Sequence, residues 1–378
     1  MGTIATKLRA LYVVDEFAVF PYTFVTGRDF MQKMKEYRIL SAGARYLIAA
    51  FVVGAIGAGL VVHYLDTRTS VSFRVVRQSD IASSSAYTLT DPLISVSANP
   101  SDGSPAPEYT ATYQKINSYI TAQEKNGLMT ASVNFRDIDN ADGFNINSML
   151  LYDPASLTKI PLAMAYYALA EYDQSVLSQS VVYSGAPDLD ANEQVESSTQ
   201  LLPGRSYTVE ELIEHMIKYS DNNAEQLLAD HLSAIGHLSV LSTLFNDFGI
   251  KNDPNVPDDT TVGSYSLFLR VLYNSTYLDR DYSEQLLSLL TQSDFVQGIR
   301  AGVPDGVLIA QKFGDARIPN AQGEQEGAEL QNCGIVYYPD HPYILCVMTK
   351  GSSIPVLEAT IAGISQIAYQ AIQKHYPQ

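Results

Sequence analysis

Positively charged residues are scarce in this sequence. It has 24 Lys and Arg against 41 Asp and Glu, which gives a formal net charge of -17. Almost all of the imbalance lies from Tyr109 onward, where 14 basic residues stand against 32 acidic ones, a balance of -18. Such a surface repels phosphate backbones, so we expect no nucleic-acid partner.

Cysteine and histidine are also few, at two and six residues. No Cys-x-x-Cys occurs and the histidines lack metal-ligand spacing, so the sequence predicts neither a metal site nor a bound cofactor. Cys333 and Cys346 lie equally far from Pro339-Asp340, a dipeptide typical of a hairpin turn, and could face each other across two strands. A disulfide and a pair of buried thiols both fit this arrangement.

One stretch, Tyr46 to Leu65, contains no Lys, Arg, Asp or Glu and is long enough to cross a bilayer as a single helix. A cleavable signal peptide would have a shorter apolar core and a shorter leader than the 45 residues that precede this run, so an uncleaved anchor is favoured. Five basic residues lie within the twenty positions before the run and three within the twenty after it. This bias predicts a single-pass membrane protein with a cytoplasmic N-terminus.

The remaining segments follow from this assignment. Residues 1–45 form a cytoplasmic segment that could lie along the inner leaflet, and residues 46–65 form the membrane helix. Residues 66–108 are rich in Ser, Thr, Asp and Pro, which predicts an extracytoplasmic linker. Residues 109–378 form the folded domain, in a chain that is 46% hydrophobic and 17% charged, a globular composition.

The folded domain shows apolar periodicities of both helices and strands. A helix face at Tyr113, Ile116 and Ile120 ends at Asn126-Gly127. The other predicted elements are a strand over Leu128–Ile138, a second strand reaching Leu151, a helical middle over Ser156–Leu290, three strands over Val307–Phe313, Leu330–Tyr338 and Tyr343–Thr349, and a closing helix over Ile354–His375. This order predicts an α+β fold of three layers. An antiparallel sheet is covered by the terminal helices and carries an inserted all-helical lobe, with a cleft between lobe and sheet.

Ser156 and Lys159 lie three residues apart at a predicted helix start, so their side chains share one face. Such a lysine accepts the serine proton if its surroundings lower its pKa, and the helix N-terminus supplies donors for an oxyanion. The pair alone is weak evidence, because a serine N-cap followed by an exposed lysine has the same pattern.

Two further motifs follow in the chain. Ser220-Asp221-Asn222 falls in a short break between two helices, where such residues are also common as plain connectors. Lys312-Phe313-Gly314 ends a predicted strand, where the lysine can bind a carboxylate and the glycine allows close approach of a substrate backbone.

Taken together and in this order, the three motifs resemble the signature of class A β-lactamases and penicillin-binding proteins. The resemblance extends from Tyr109 to the C-terminus. It is strongest at Pro154–Leu162, which is similar to the nucleophile helix of the family, and at Thr208–Leu228, which is similar to its middle-motif helix pair. The fold predicted above is also the fold of that family.

The resemblance implies a role for each residue. Ser156 attacks a carbonyl, Lys159 is the base, and Ser220 relays a proton to the leaving nitrogen. Asn222 holds the substrate amide, and Lys312 supports Ser220 and the substrate carboxylate. The oxyanion lies between the backbone N–H groups of Ser156 and Asp315, the residue after Gly314.

The sequence departs from the family pattern at two places. The loop that carries a deacylating glutamate in β-lactamases corresponds to Lys251–Asp258, which is short and has no glutamate. Phe313 replaces a Thr or Ser that helps hold the substrate carboxylate, and Asp315 adds a negative charge beside the expected oxyanion hole. We therefore expect behaviour closer to a penicillin-binding protein than to an efficient β-lactamase.

Three functions remain open at this point. The first is a membrane-anchored envelope serine hydrolase or acyl-transferase that forms an acyl-enzyme at Ser156, acting on D,D-peptide-type amides of the cell wall. The second is a class A-type β-lactamase with altered deacylation. The third is a catalytically inactive module that uses the same cleft for binding.

Overall fold

The computed structural model describes residues 87–92, 105–191, 193–195, 197–248, 260–320 and 322–377. The predicted N-terminal segment 1–45, the predicted membrane helix 46–65 and the loop 251–258 lie outside these ranges. Across the described ranges, no single helix has the length and hydropathy needed to cross a bilayer. One pair, Asn222–Ala234 with Leu238–Asp247, bent by 111°, meets that requirement by length and composition.

A five-stranded antiparallel sheet forms the centre of the domain, in the order β2-β1-β7-β6-β5. The prediction of an antiparallel sheet built from both ends of the domain is confirmed. Its strands are β1 (Leu128–Asp137), β2 (Gly143–Ile146), β5 (Leu308–Pro319), β6 (Gln325–Tyr337) and β7 (Tyr343–Gly351). The first two of these strands are shorter than predicted, and the hairpin of β5 and β6 is longer, because the two strands stay paired as far as Pro319 and Gln325.

Terminal helices cover one face of the sheet. They are α1 (Thr110–Gln123) and α9 (Ile354–His375). Strand alternation directs Phe135, Leu345 and Val347 to this face, where they pack in one buried apolar cluster with residues of both helices. The predicted cover of N- and C-terminal helices is confirmed.

The opposite face of the sheet carries the helical lobe. Its helices are α2 (Lys159–Ala170), α3 (Ser175–Ser178), α4 (Val209–Lys218), α5 (Asn222–Ala234), α6 (Leu238–Asp247), α7 (Val262–Tyr273) and α8 (Arg280–Leu290). Helix α2 is the centre of this lobe, since ten of its twelve residues are buried. The alternate side chains of the sheet, among them Ala310, Ile335 and Met348, pack against the lobe.

The predicted helical middle is wrong between α3 and α4. A two-stranded sheet lies there, formed by β3 (Ser180–Val182) and β4 (Ser206–Thr208), and the strands are joined by residues 183–205. Each of these strands has three residues, which are too few to show an alternating apolar pattern, so only their pairing identifies them. The Gly185-Ala186-Pro187-Asp188 run was the available sign of a break.

Cys333 and Cys346 are direct partners across β6 and β7. The turn over Tyr338–His341 sets this register, with Asp340 in a left-handed conformation. The two sulfur atoms are bonded in a disulfide, so the first of the two arrangements left open by the sequence is the one in the structure.

Residues 87–92, which belong to the predicted linker, pack on the folded domain. Glu284 of α8 accepts the backbone N–H groups of Thr88, Leu89 and Thr90 at 2.7, 2.8 and 2.9 Å. Leu89 is buried, and its carbonyl accepts the hydroxyl of Tyr337 at 3.0 Å. The folded part of the chain therefore includes residues before Tyr109.

Glu284→Ala should release this docked segment. The variant leaves three backbone N–H groups without their carboxylate, and we expect it to weaken docking by about 1–3 kcal/mol. Limited proteolysis of the full chain should then cut around residues 87–92 faster than in the wild type. The exposed Glu326→Ala is the control and should leave the rate unchanged; equal rates for both variants would contradict a docking role for Glu284.

Candidate active site

Ser156 and Lys159 face each other at the base of the cleft. Ser156 lies in a 3₁₀ turn, Ala155–Thr158, and Lys159 is the first residue of α2. The side-chain nitrogen Nζ of Lys159 lies 2.5 Å from Ser156 Oγ, and the lysine side chain is fully buried. The helix start predicted at Ser156 is therefore a 3₁₀ turn, but the two side chains share one face as expected.

Pro161 explains why the first turn is not a regular α-turn. Proline has no N–H to give to the carbonyl of Leu157 four residues earlier. That carbonyl accepts the hydroxyl of Tyr265 on α7 instead, at 3.0 Å. The turn that holds Ser156 is thus fixed to the helical lobe by a side chain.

Ser220 lies in the break between α4 and α5. Its backbone has φ 58°, and Ala155 beside the nucleophile has φ 46°, so two residues with side chains adopt the left-handed conformation at this site. Each costs about 1–3 kcal/mol, and such positions cluster at functional sites. Asp221 caps α5 by accepting the N–H of Ala224 at 2.7 Å, which fixes the break.

Lys312 on β5 is hydrogen-bonded to Ser220, as Lys159 is to Ser156. Its Nζ donates to Ser220 Oγ at 2.8 Å and to the carbonyl of Phe313 at 3.0 Å. Burial, and next the positive charge of Lys159, hold the pKa of Lys312 well below its usual range. β5 is the edge strand of the sheet, so its free side faces the cleft.

Gly314 allows β5 to approach the nucleophile turn. A Cβ at this position would lie 2.8 Å from the carbonyl oxygen of Pro154 and 2.9 Å from the backbone nitrogen of Ser156. Both are backbone atoms, which cannot move without displacing the turn. A residue without a side chain is therefore required here.

Phe313 points away from the cleft. Strand alternation turns its ring to the face covered by α1 and α9, where it is buried and stacks on Phe295 with ring centroids 4.2 Å apart. The ring therefore does not obstruct the cleft. A phenylalanine also has no hydroxyl that could bind a substrate carboxylate, as expected from the sequence.

Asn222 is held from three sides. Its Oδ1 accepts from Lys159 Nζ at 2.5 Å, its backbone N–H donates to Asp190 at 2.9 Å, and its Nδ2 donates to Glu193 Oε1 at 2.7 Å. The side chain expected to hold a substrate amide is thus bonded to the connection between β3 and β4.

Glu193 and Asp190 were not among the predicted site residues. Both belong to residues 183–205, the connection that the sequence did not separate from the helical middle. Burial, followed by the negative charge of Asp315, raises the pKa of Glu193, and burial raises the pKa of Asp190. No local motif marks either residue, because their place depends on how the connection folds back over α5.

Glu225 is a third residue that the sequence did not single out. Its Oε2 lies 2.9 Å from Lys159 Nζ, and its Oε1 accepts the hydroxyl of Thr158 at 2.8 Å. Glu225 is three residues after Asn222 on α5, so the helical repeat places both side chains on one face. This spacing was the available signal.

The cleft has a volume of about 540 Å³. Its acidic lining residues are Asp153, Glu193, Glu225 and Asp315, beside Ser156 and Asn222. Asp315 accepts from Gln194 Nε2 at 3.3 Å, and burial raises the pKa of its carboxyl group. Its side chain therefore lines the cleft, and a bond from the connection fixes it. The described residues contain no cluster of three or more His, Cys, Asp or Glu that could hold a metal ion.

Residues 111–372 match the sequence model of the β-lactamase enzyme family. The chain belongs to this family. The match contains every site residue described above. A search of curated protein sequences gives no match.

Solved structures of the family share its fold with this domain. The structure of PBP-A is 24% identical, covers 73% of this chain and 100% of that chain, and has a TM-score of 0.58. A PBP-A mutant in an acyl-enzyme complex with penicillin G is 25% identical, with coverages of 70% and 97% and a TM-score of 0.57. A β-lactamase from Sphaerobacter thermophilus is 21% identical, with coverages of 70% and 99% and a TM-score of 0.57.

Gly314→Ala should impair acylation of Ser156 more than folding. The added methyl group forces β5 and the nucleophile turn apart, and displacements of this kind reduce rates by about 10- to 100-fold. Acylation by an activated acyl ester is the measurement. Gly263→Ala on α7 is the matched control, because a Cβ there meets open space; an equal effect of both substitutions would rule out the close contact as the cause.

Glu193→Gln should change how stability varies with pH. The raised pKa of Glu193 means that its proton contributes stability fully below the ordinary value of 4.5, and that this contribution disappears as pH rises through the raised pKa. Glutamine keeps the acceptor for Asn222 and carries no charge. We therefore expect the Tm of the variant to rise relative to wild type between about pH 4 and pH 7. The control is Glu326→Gln, and a difference that stays flat or falls with pH would contradict the assignment.

Proposed function

We propose that this domain is a serine hydrolase or acyl-transferase that forms an acyl-enzyme at Ser156. The observation that carries the proposal is the convergence of two buried lysines on two serine hydroxyls, Lys159 on Ser156 and Lys312 on Ser220. Buried amines next to hydroxyls are arranged for proton transfer rather than for stability.

The bonded groups correspond to the steps of acyl transfer. Lys159 in its amine form takes the proton from Ser156 Oγ while Oγ bonds to the substrate carbonyl carbon. Ser220 then passes a proton to the leaving nitrogen as the bond from carbon to nitrogen breaks, and the proton held by Lys159 replaces it on Ser220. Lys312 orients the Ser220 hydroxyl by donating to it. The backbone N–H groups of Ser156 and Asp315 stabilise the oxyanion in this proposal.

The substrate class in this proposal is a D,D-peptide-type amide of the cell wall. Lys312 offers N–H donors for a terminal carboxylate, and Asn222 offers an amide for the peptide group before the cleaved bond. A PBP-A mutant forms an acyl-enzyme complex with penicillin G, which supports acylation of this domain by a β-lactam. Asn222 must then exchange its bond to Glu193 for a bond to substrate.

The proposed location is the outer side of a cell membrane. The uncharged run Tyr46–Leu65 anchors the chain, with its N-terminus in the cytoplasm and the domain outside. The disulfide between Cys333 and Cys346 supports this location, since such bonds persist in oxidising compartments.

One observation favours the alternative of an inactive binding module. Glu193 occupies the amide group of Asn222 that a substrate would need. The absence of a hydroxyl at Phe313 removes one contact to a substrate carboxylate as well. An inactive module of this kind would bind a ligand in the cleft and carry no covalent label at Ser156.

Ser156→Ala decides between catalysis and binding alone. The full chain, purified in detergent, is incubated with a fluorescent penicillin and with a small acyl ester, and covalent label is measured after denaturation. The wild type should carry label and Ser156→Ala none, because the variant has no nucleophile. The exposed Ser242→Ala on α6 is the control and should label as the wild type does. No covalent label on the wild type from either probe would contradict the proposal.

A further inference from the structure

Release of an acyl group from Ser156 requires a base that activates water, and this inference rests on the proposed acyl-enzyme. The segment 251–258, where the family resemblance would place the base, has no glutamate. We propose that Glu225 on α5 is the catalytic base for deacylation. The carboxylate then comes from the helix of the middle motif instead of from a loop.

Glu225 is bound to the nucleophile turn through both carboxylate oxygens. Oε1 accepts the hydroxyl of Thr158, which in turn belongs to the same 3₁₀ turn as Ser156. Oε2 forms the 2.9 Å ion pair with Lys159. Two contacts to one rigid turn fix the carboxylate relative to the serine, which is the requirement for a positioned base.

The carboxylate lies within the reach of one bridging water from the serine. Lys159 Nζ lies 2.5 Å from Ser156 Oγ and 2.9 Å from Glu225 Oε2, so these oxygens are no farther apart than the two lengths together. A water with normal hydrogen bonds spans a gap of this size. The Glu225 side chain is 26% exposed and lines the cleft, so water reaches it.

The other carboxylates of the cleft have hydrogen-bond partners other than Lys159. Asp153 accepts the N–H of Ala155 at 2.8 Å and stabilises the turn. Glu193 accepts from Asn222, and Asp315 accepts from Gln194. Glu225 is the carboxylate bonded to the nucleophile's own lysine among the described residues.

The proposed step balances as follows. The water oxygen bonds to the acyl carbon and its proton goes to Glu225. Glu225 passes this proton to Lys159. The bond from that carbon to Ser156 Oγ breaks, and Oγ takes the proton from Lys159. Glu225 is again a carboxylate, Lys159 an amine and Ser156 a hydroxyl, and a free carboxylic acid leaves. No oxidant or further reactant is needed.

Glu225→Gln separates the two half-reactions. The full chain is labelled with fluorescent penicillin, free probe is removed, and the loss of bound label is followed with time. Glutamine keeps the size of the side chain and an acceptor for Thr158. Label release should slow by about 100-fold or more, the usual contribution of a general base, and this factor should exceed any slowing of label formation.

Glu214→Gln is the matched control. Glu214 forms an ion pair of the same length, 2.9 Å, with Lys218 on α4, away from the cleft. This variant should label and release as the wild type does. If Glu225→Gln fails to fold, Glu225→Asp serves instead, and its shorter side chain should give an intermediate release rate.

The outcomes distinguish this inference from the proposed function. Release at the wild-type rate would show that Glu225 is not the base. Equal slowing of label formation and release would show that it acts only by positioning Lys159, and would also overturn the inference. A wild type that takes up no label overturns the proposed function itself, and the base with it.

Discussion

The buried amine of Lys159 is the group on which the site depends. A lysine without exposed surface is tolerated only when polar partners replace the water it has lost. Ser156, Asn222 and Glu225 provide these partners, and they come from the nucleophile turn and from one face of α5. The turn and this helix must therefore pack at a defined distance, and Tyr265 holds the turn from the lobe side.

The edge strand β5 brings the second lysine to the same place. Strand alternation sends Lys312 and Gly314 toward the cleft and Phe313 to the opposite face. A positive charge on Lys159 disfavours a second positive charge nearby, which together with burial lowers the pKa of Lys312. Carboxylates around the cleft offset this repulsion, so acidic residues of the domain also stabilise positive charge at the site.

These carboxylates also change the expectation for the end of the reaction. The family pattern predicts a base only in the loop of residues 251–258, and that loop has no glutamate. A carboxylate from α5 lies against the nucleophile turn instead. Glu193, bonded to Asn222, links the same helix to the connection between β3 and β4. In the proposed reaction, release of product and admission of substrate thus both involve side chains on α5 or bonded to it.

The sequence by itself determined the sheet, its helical covers and the three motifs, because strand periods, helix stops and the spacing of Ser156, Ser220 and Lys312 are local patterns. The pairing of Cys333 with Cys346 was foreseeable as a register, since one turn separates them. The tertiary structure alone decided the roles of Glu193 and Glu225. Glu193 has no local signature, and the spacing of Glu225 from Asn222 predicts a shared helix face but not a contact with Lys159. Each reaches its partner only because a distant segment folds against Asn222 or Lys159. Local periodicity predicts elements, whereas the partners of a buried charge depend on packing.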